Sequence, residues 1–99
     1  MRLRNFQKIV NTLYRLKGFT RNLNILGNGL AEECGEVNMA ILDLTPDFVK
    51  KDGRSASDLE HELIDTLVYL FAIADAAGID LGTVAVIDIH RRIKEANND

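Results

Sequence analysis

The segment from residue 63 to residue 74 constrains the fold most, because its apolar side chains would cover every side of a helix. Its apolar members include Leu63, Ile64, Leu67, Val68, Leu70, Phe71, Ile73 and Ala74. The unbroken apolar run LVYLFAIA is far shorter than the roughly 20 residues that a membrane span needs. We therefore expect protein to bury this helix on all sides. A chain of 99 residues forms only one modest core, so we infer that a second subunit covers part of it.

Apolar residues at helical spacing predict two helices before this one. The first runs from Leu3 to Leu16, and Gly18 ends it in the left-handed conformation that glycine accepts. The second runs from Asn22 to about Leu44 and contains three glycines: Gly27, Gly29 and Gly35. These glycines either allow the close approach of another backbone or a ligand, or they mark a kink or a late helix start near Asn28.

Two further helices complete the prediction. Residues 45–57 are expected to form a loop, since Pro46 cannot continue a helix. Ser57 and Glu60 form a capping-box pattern at the start of the third helix, which ends at Gly78. Asp80 is the expected N-cap of a fourth helix, which spans residues 81–96 and includes a stretch, 83–89, that also fits a strand. The fold class is thus all-α, with four helices in a single domain, residues 1–99.

Charge and cysteine content narrow the function classes. The formal net charge is −3, which argues against a nucleic-acid partner, although basic residues collect at both ends. Cys34 is the only cysteine, so we expect neither an intramolecular disulfide nor a zinc site, and we interpret Cys34 as a packing residue. The N-terminus has no apolar core of signal-peptide length. We expect a soluble, cytoplasmic protein without a membrane partner.

Carboxylates recur at helical spacing on the second and third helices. Glu33 and Glu36 are three residues apart, and Glu32 and Glu36 are four apart, so either pair shares a helix face. Glu62 and Asp65 repeat the spacing directly before the apolar segment. Because like charges at this spacing destabilise a helix, a cation would compensate, and these hard oxygen ligands suit Mg²⁺ or Mn²⁺. The alternative is that the acids are solvated or paired with the terminal arginines and lysines.

Histidine-based metal sites fit less well. His61-Glu62 begins like the zinc-protease pattern H-E-x-x-H, but position 65 is aspartate. Di-iron bundles need a Glu-x-x-His pair from each of two helices, and the chain offers none. We interpret His61 as a surface residue or a neighbour of the ligands. His90 either contacts a phosphate or faces solvent.

The acidic pattern resembles that of a known family. Glu32-Glu33-x-x-Glu36, followed by Glu62-x-x-Asp65, is similar to the E-E-x-x-E…E-x-x-D signature of the MazG-like, all-α nucleoside triphosphate pyrophosphohydrolases. The surrounding sequences LAEECGEV and ELIDTLVYLFAIADAAGIDL also resemble that family. The resemblance covers residues 22–81.

The resemblance implies a four-helix MazG-like fold completed by dimerisation, or a tetramer built from dimers, with Mg²⁺ at the carboxylates. It implies cleavage of a ribo- or deoxyribonucleoside triphosphate to the monophosphate and pyrophosphate. The corresponding role is cleaning or regulating the nucleotide pool. Glu33, Glu36, Glu62 and Asp65 match the metal ligands. Glu32 matches a further catalytic glutamate that holds a second metal or orients water.

The fourth helix departs from the family pattern. The family has a lysine and an asparagine there, and their places fall on Asp88 and Arg92. Arg91 and Lys94 are neighbouring candidates for substrate binding, with Arg92. Asn28, together with Asn24, either lines a base pocket or faces solvent. The preferred base stays unassigned.

Two other functions remain open. The chain could be a catalytically weak helical dimer that binds metal and nucleotide as a regulatory module, which the altered fourth helix favours. The basic ends suggest a DNA-binding dimer, which the acidic balance opposes. The intact set of acids favours the hydrolase.

Overall fold

The computed structural model describes residues 1–44 and 56–98. These residues form four α-helices: α1 (Leu3–Leu16), α2 (Leu23–Leu44), α3 (Ala56–Ala76) and α4 (Leu81–Asn97). The described ranges contain no strand, and residues 83–89 are helical. The prediction of an all-α chain with four helices is thus confirmed. The predicted loop lies, for residues 45–55, outside the described part of the chain.

Glycines end two helices through the same hydrogen-bonded motif. Gly18 has φ 67° and Gly78 has φ 74°, which is the left-handed conformation predicted for Gly18. The N–H of Phe19 donates to the carbonyl of Tyr14, and the N–H of Ile79 donates to the carbonyl of Ala74. These are the six-to-one hydrogen bonds of the Schellman motif. Each glycine therefore stops its helix and turns the chain sharply.

Polar side chains determine where α2 and α4 begin. The carboxamide of Asn22 accepts hydrogen bonds from the N–H groups of Asn24 and Ile25, so α2 begins at Leu23 and a late start near Asn28 is wrong. Asp80 accepts from the N–H and the hydroxyl of Thr83, as predicted for the N-cap of α4. Both caps satisfy N–H groups that have no partner within the helix.

The predicted start of α3 is wrong. The helix begins at Ala56, so Ser57 lies in its first turn and is not the N-cap. A difference of one or two residues at a helix end is common.

Only one glycine of α2 is in close contact with another helix. A Cβ at Gly29 would lie 2.5 Å from the Tyr69 ring of α3, whereas a Cβ at Gly27 or Gly35 would meet nothing within 4 Å. Gly29 faces Tyr69 and, one turn further along α2, Glu33 lies beside Asp65. The residue numbers of facing positions rise on one helix and fall on the other, so α2 and α3 run antiparallel.

Helix α1 packs against both α3 and α4. The rings of Phe6 and Phe71 meet edge to face at 5.7 Å. The amide of Gln7 donates to the carbonyl of Ile79 and accepts from the N–H of Gly82, which ties α1 to the turn before α4. A Cβ at Gly82 would overlap the backbone of Arg4, so α1 and α4 cross in close contact.

The core of the single chain is small. Its buried apolar residues are Val10, Leu26, Ala40, Phe71, Ala72 and Ala74. The radius of gyration is 16.4 Å, whereas a compact domain of 100 residues has about 13 Å. Leu63 and Ile64 are each 52% exposed. The chain alone therefore leaves part of α3 exposed, and the expected cover by a second subunit stays a prediction.

Two smaller points concern packing and membranes. Cys34 is exposed, so its interpretation as a packing residue is wrong: it lies on the side of α2 that no other described helix covers. Within the described ranges no single helix is long and apolar enough to cross a membrane. One pair of helices, Asp58–Ala76 and Leu81–Asn97, reaches the length and apolar composition of a membrane span when the two are taken together, and this pair is bent by 109°.

Candidate metal centre

Three predicted ligands converge between α2 and α3. One carboxylate oxygen from each of Glu33, Glu62 and Asp65 lies within 4.8 Å of the other two, and all three residues are partly buried. Glu62 and Asp65 share a face of α3 because they are three residues apart. The antiparallel packing of α2 brings Glu33 opposite them. The arrangement thus follows from helical spacing on α3 and from the alignment of the two helices.

The carboxylates of this cluster oppose each other's ionisation. Burial, the charges of Glu36 and Asp65, and a hydrogen bond with Glu62 raise the pKa of Glu33 from 4.5 to about 7. Like charges within a few ångströms and loss of water both disfavour the charged form. At neutral pH, the cluster without a cation therefore holds a proton on Glu33 for much of the time.

Two oxygens of the cluster are buried without a hydrogen-bond partner, Oε2 of Glu33 and Oε2 of Glu62. Within residues 1–44 and 56–98, no lysine or arginine forms an ion pair with Glu33, Glu62 or Asp65. The alternative that terminal basic residues neutralise these three acids therefore has no support in the described chain. Buried charges are normally paired or bound to metal, so the cluster has the character of a cation site.

The other two predicted acids lie at the edge of the cluster. Glu36 is exposed, yet its charge raises the pKa of Glu33, so it lies close by. Glu32 is also exposed and is not among the three converging residues. Glu33 and Glu36 share a helix face, as predicted, but only Glu33 lies deep enough in the groove between α2 and α3 to meet the acids of α3.

Two neighbours of the cluster extend this description. His61 is largely exposed, and its Nε2 lies 3.3 Å from Oδ2 of Asp65. It is therefore both a surface residue and a neighbour of a predicted ligand, which are the two alternatives given for it. Tyr69, one turn beyond Asp65, closes the groove against Gly29. Sequence reasoning missed Tyr69, because a contact between residues so far apart in the chain leaves no local pattern.

The substrate-binding candidates of α4 are engaged elsewhere. Arg91 pairs with Asp88 and Glu95, and Nε of Arg92 lies 2.6 Å from Oδ2 of Asp88. These hydrogen bonds from the two arginines lower the pKa of Asp88. Lys94 is exposed. In the described chain, no hydrogen bond or ion pair joins any of these basic residues to the acidic cluster.

Asn28 is exposed on α2, in the turn before Glu32 and Glu33. This position leaves its side chain accessible to a ligand at the cluster. The exposure equally fits the alternative that Asn28 faces solvent.

Comparison of the chain with protein-family models, curated proteins and solved structures gave no match. The similarity to the MazG-like signature thus rests on the two motif helices alone.

Proposed function

We propose that the chain is a Mg²⁺-dependent nucleoside triphosphate pyrophosphohydrolase of the MazG-like class. It would convert a ribo- or deoxyribonucleoside triphosphate to the monophosphate and pyrophosphate. The observation that supports this most is the convergence of Glu33, Glu62 and Asp65 within 4.8 Å, with two buried oxygens lacking a partner. Order and spacing of these acids match the family signature.

The donor set suits a hard divalent cation. All donors are carboxylate oxygens, and Mg²⁺ or Mn²⁺ prefers such ligands, with Mg²⁺ taking a few carboxylates together with water and substrate phosphates. Glu33, Glu62 and Asp65 would hold the ion, and Glu36 would join them from the rim. When bound, the ion would supply charge neutralisation of the phosphates and would lower the pKa of a bound water.

The protein's own groups set the conditions for binding. Glu33, with its pKa raised to about 7, must lose its proton to bind a cation, because metal ligands bind in the deprotonated form. The Tyr69 ring packs on Gly29 one turn away from Glu33 and Asp65, and so brings α2 and α3 close together beside the cluster. Glu32, which is exposed and precedes Glu33 in the chain, would hold a second metal or orient water.

A second copy of the chain would complete the fold. The exposed apolar residues of α3 are Leu63, Ile64, Leu67 and Leu70. Contiguous apolar surface of this kind marks interaction sites. We include in the proposal that a second copy covers this face, in a dimer or in a tetramer built from dimers. Substrate contacts by Asn28, Arg91, Arg92 and Lys94 remain part of the hypothesis.

One observation favours the alternative of a nucleotide- and metal-binding regulatory module. Arg91 and Arg92 are bound to Asp88 of their own helix, so a phosphate would have to displace that carboxylate. A module that binds without turnover tolerates this competition better than an enzyme that must neutralise developing charge.

The test is pyrophosphate release from a panel of ribo- and deoxyribonucleoside triphosphates with Mg²⁺. We expect release by the native chain and a loss of at least about 100-fold in Asp65→Asn and Glu33→Gln, in line with the cost of removing a group that stabilises transition-state charge. Glu60→Gln is the matched control: Glu60 is exposed on the same helix and should keep its activity. Light scattering on the same samples measures the oligomeric state.

Three outcomes would contradict parts of the proposal. Nucleotide and Mg²⁺ binding without pyrophosphate release would favour the regulatory module. Release that survives both cluster variants would place catalysis elsewhere. A monomer by light scattering would contradict the proposed dimer or tetramer.

A further inference from the structure

Charge is strongly segregated along the chain. The first 31 residues contain six of the 12 lysines and arginines and none of the 15 acidic residues. These basic residues are Arg2, Arg4, Lys8, Arg15, Lys17 and Arg21. The net charge of −3 therefore hides a positive pole on and around α1. Local fields of this kind attract ligands of opposite charge even when the whole molecule is acidic.

A concave pocket lies at this pole, between α1 and the turn from α3 to α4. Its volume is about 530 Å³. The residues of α1 that line it are Arg4, Gln7, Lys8, Asn11, Thr12 and Arg15. Positions 4, 8, 11 and 15 repeat at helical spacing and so share one face of the helix. We call this cavity the α1 pocket.

The two acids of the α1 pocket already have partners. Oδ2 of Asp75 lies 2.5 Å from the guanidinium of Arg21, while Arg15 is 3.9 Å from its other oxygen. Hydrogen bonds from the Thr83 hydroxyl and N–H lower the pKa of Asp80, and the charges of Arg4 and Lys8 lower it further. The acids are thus held as carboxylates by groups of the protein.

Two basic residues of the α1 pocket lack an ion-pair partner within the described chain. Neither Arg4 nor Lys8 forms an ion pair with any residue of the described ranges. Their charges act on Asp80 without a direct ion pair, which leaves their N–H groups available to a ligand. Two such basic side chains on the lining of one concave pocket indicate a place that an anion completes.

We propose that the α1 pocket binds a small anion that carries two or more phosphate groups, on Arg4, Lys8 and Arg15. Arginine meets phosphate through its planar fork and lysine as a point charge. The helical rise separates the Cα atoms of Arg4 and Lys8 by about 6 Å, so both side chains can reach one pyrophosphate-sized ligand. A duplex nucleic acid would need an extended basic surface, whereas this site is concave.

The α1 pocket is separate from the acidic cluster. Asp75, at its edge, is ten residues beyond Asp65 on α3, which corresponds to about 15 Å along the helix. The charge of the two sites also differs: carboxylates form the acidic cluster, whereas three basic side chains line the α1 pocket. The proposal therefore goes beyond the proposed hydrolase and stands whether or not that activity is found.

The test is calorimetric titration of the full chain with sodium pyrophosphate in EDTA, which removes metal bridging at the acidic cluster. We expect saturable binding that Arg4→Gln/Lys8→Gln weakens at least ten-fold. Lys17→Gln is the control, since Lys17 carries the same charge at the C-cap of α1 but lies outside the pocket; the affinity of this variant should stay within two-fold of native. Thermal unfolding checks that each variant is folded. If the double variant is not, Lys8→Gln alone, expected to weaken binding at least three-fold, replaces it.

Several results would overturn the proposal. These are no binding of pyrophosphate, binding that the pocket variants leave unchanged, and binding that Asp65→Asn abolishes. Steeply salt-dependent binding of duplex DNA without binding of pyrophosphate would also overturn it and would favour a nucleic-acid partner.

Discussion

Two carboxylates, Glu33 on α2 and Asp88 on α4, behave in opposite ways. Asp88 on α4 receives hydrogen bonds from Arg91 and Arg92, which lower its pKa. Glu33, packed against Glu62 and Asp65 of α3, has its pKa raised to about 7 by burial and by neighbouring negative charge. Asp88 has two arginine side chains beside it, whereas in the described chain no lysine or arginine forms an ion pair with Glu33. The acids of α4 are neutralised by their own helix, whereas the partly buried acids between α2 and α3 gather without a lysine or arginine in the described chain and could hold a cation.

The same contrast holds for packing. Around α1, the contacts are specific and internal: Phe6 meets Phe71, and Gln7 bonds to both sides of the turn before α4. Along α3, the apolar side chains of Leu63 and Ile64 remain half exposed. The α1 side is thus packed within the single chain, while one face of α3 is left open.

The largest effect that tests this contrast is expected at Phe71. Its side chain is only 2% exposed and joins α1 to α3. Phe71→Ala should lower the free energy of unfolding by about 3–5 kcal/mol, as removal of a buried ring does. Urea denaturation measures the change. Leu16→Ala, at a side chain 81% exposed on α1, should cost less than about 0.5 kcal/mol. A cost at Leu16 as large as that at Phe71 would mean that a partner also covers α1, and the contrast would fail.

Local signals in the sequence predicted the scaffold well. The stripe of α1 gave its bounds, Leu3–Leu16, and Gly18, Gly78 and Asp80 marked turns and a cap that the structure contains. Each of these features depends on neighbours within a few residues. Ser57 was misplaced because two adjacent residues can start a helix at similar cost, and the pattern alone does not choose between them.

Features that depend on distant residues were harder to predict. Helical spacing placed Glu33 and Glu36 on one face, but the angle at which α2 meets α3 decides that only Glu33 joins Glu62 and Asp65. The contact of Gly29 with Tyr69 and the α1 pocket likewise require the alignment of segments far apart in sequence. The acidic composition of the cluster was therefore predictable, and the choice of Glu33 as the α2 member was not.

Substitutions at two glycines should change the free energy of unfolding by an intermediate amount, and they test the difference in packing. Gly82→Ala should destabilise the chain by about 1–3 kcal/mol, since its Cβ would overlap the backbone of Arg4, which cannot move without shifting α1. Gly27→Ala on α2 should stabilise by up to about 1 kcal/mol, because its Cβ meets nothing within 4 Å and alanine favours helix. Thermal and urea unfolding measure both. If Gly27→Ala destabilises instead, a second copy covers that face of α2.

The smallest effect should come from the proton on Glu33. Its folded pKa of about 7 lies above the ordinary value of 4.5, so its contribution to stability is complete below about pH 4.5 and is lost as pH rises through 7. Between pH 5 and 8, metal-free protein should lose about 1 kcal/mol of unfolding free energy, a figure reduced for solvent screening of a partly exposed group.

Three measurements separate this effect from other titrations. Urea unfolding in EDTA at several pH values should show a smaller loss in Glu33→Gln than in the native chain, while Glu60→Gln should keep the native slope. Addition of Mg²⁺ at pH 8 should restore stability to the native protein, because a ligand that binds only the folded state stabilises it. Equal slopes in all three proteins would show that Glu33 ionises normally, and the electrostatic difference between Glu33 and Asp88 would then disappear.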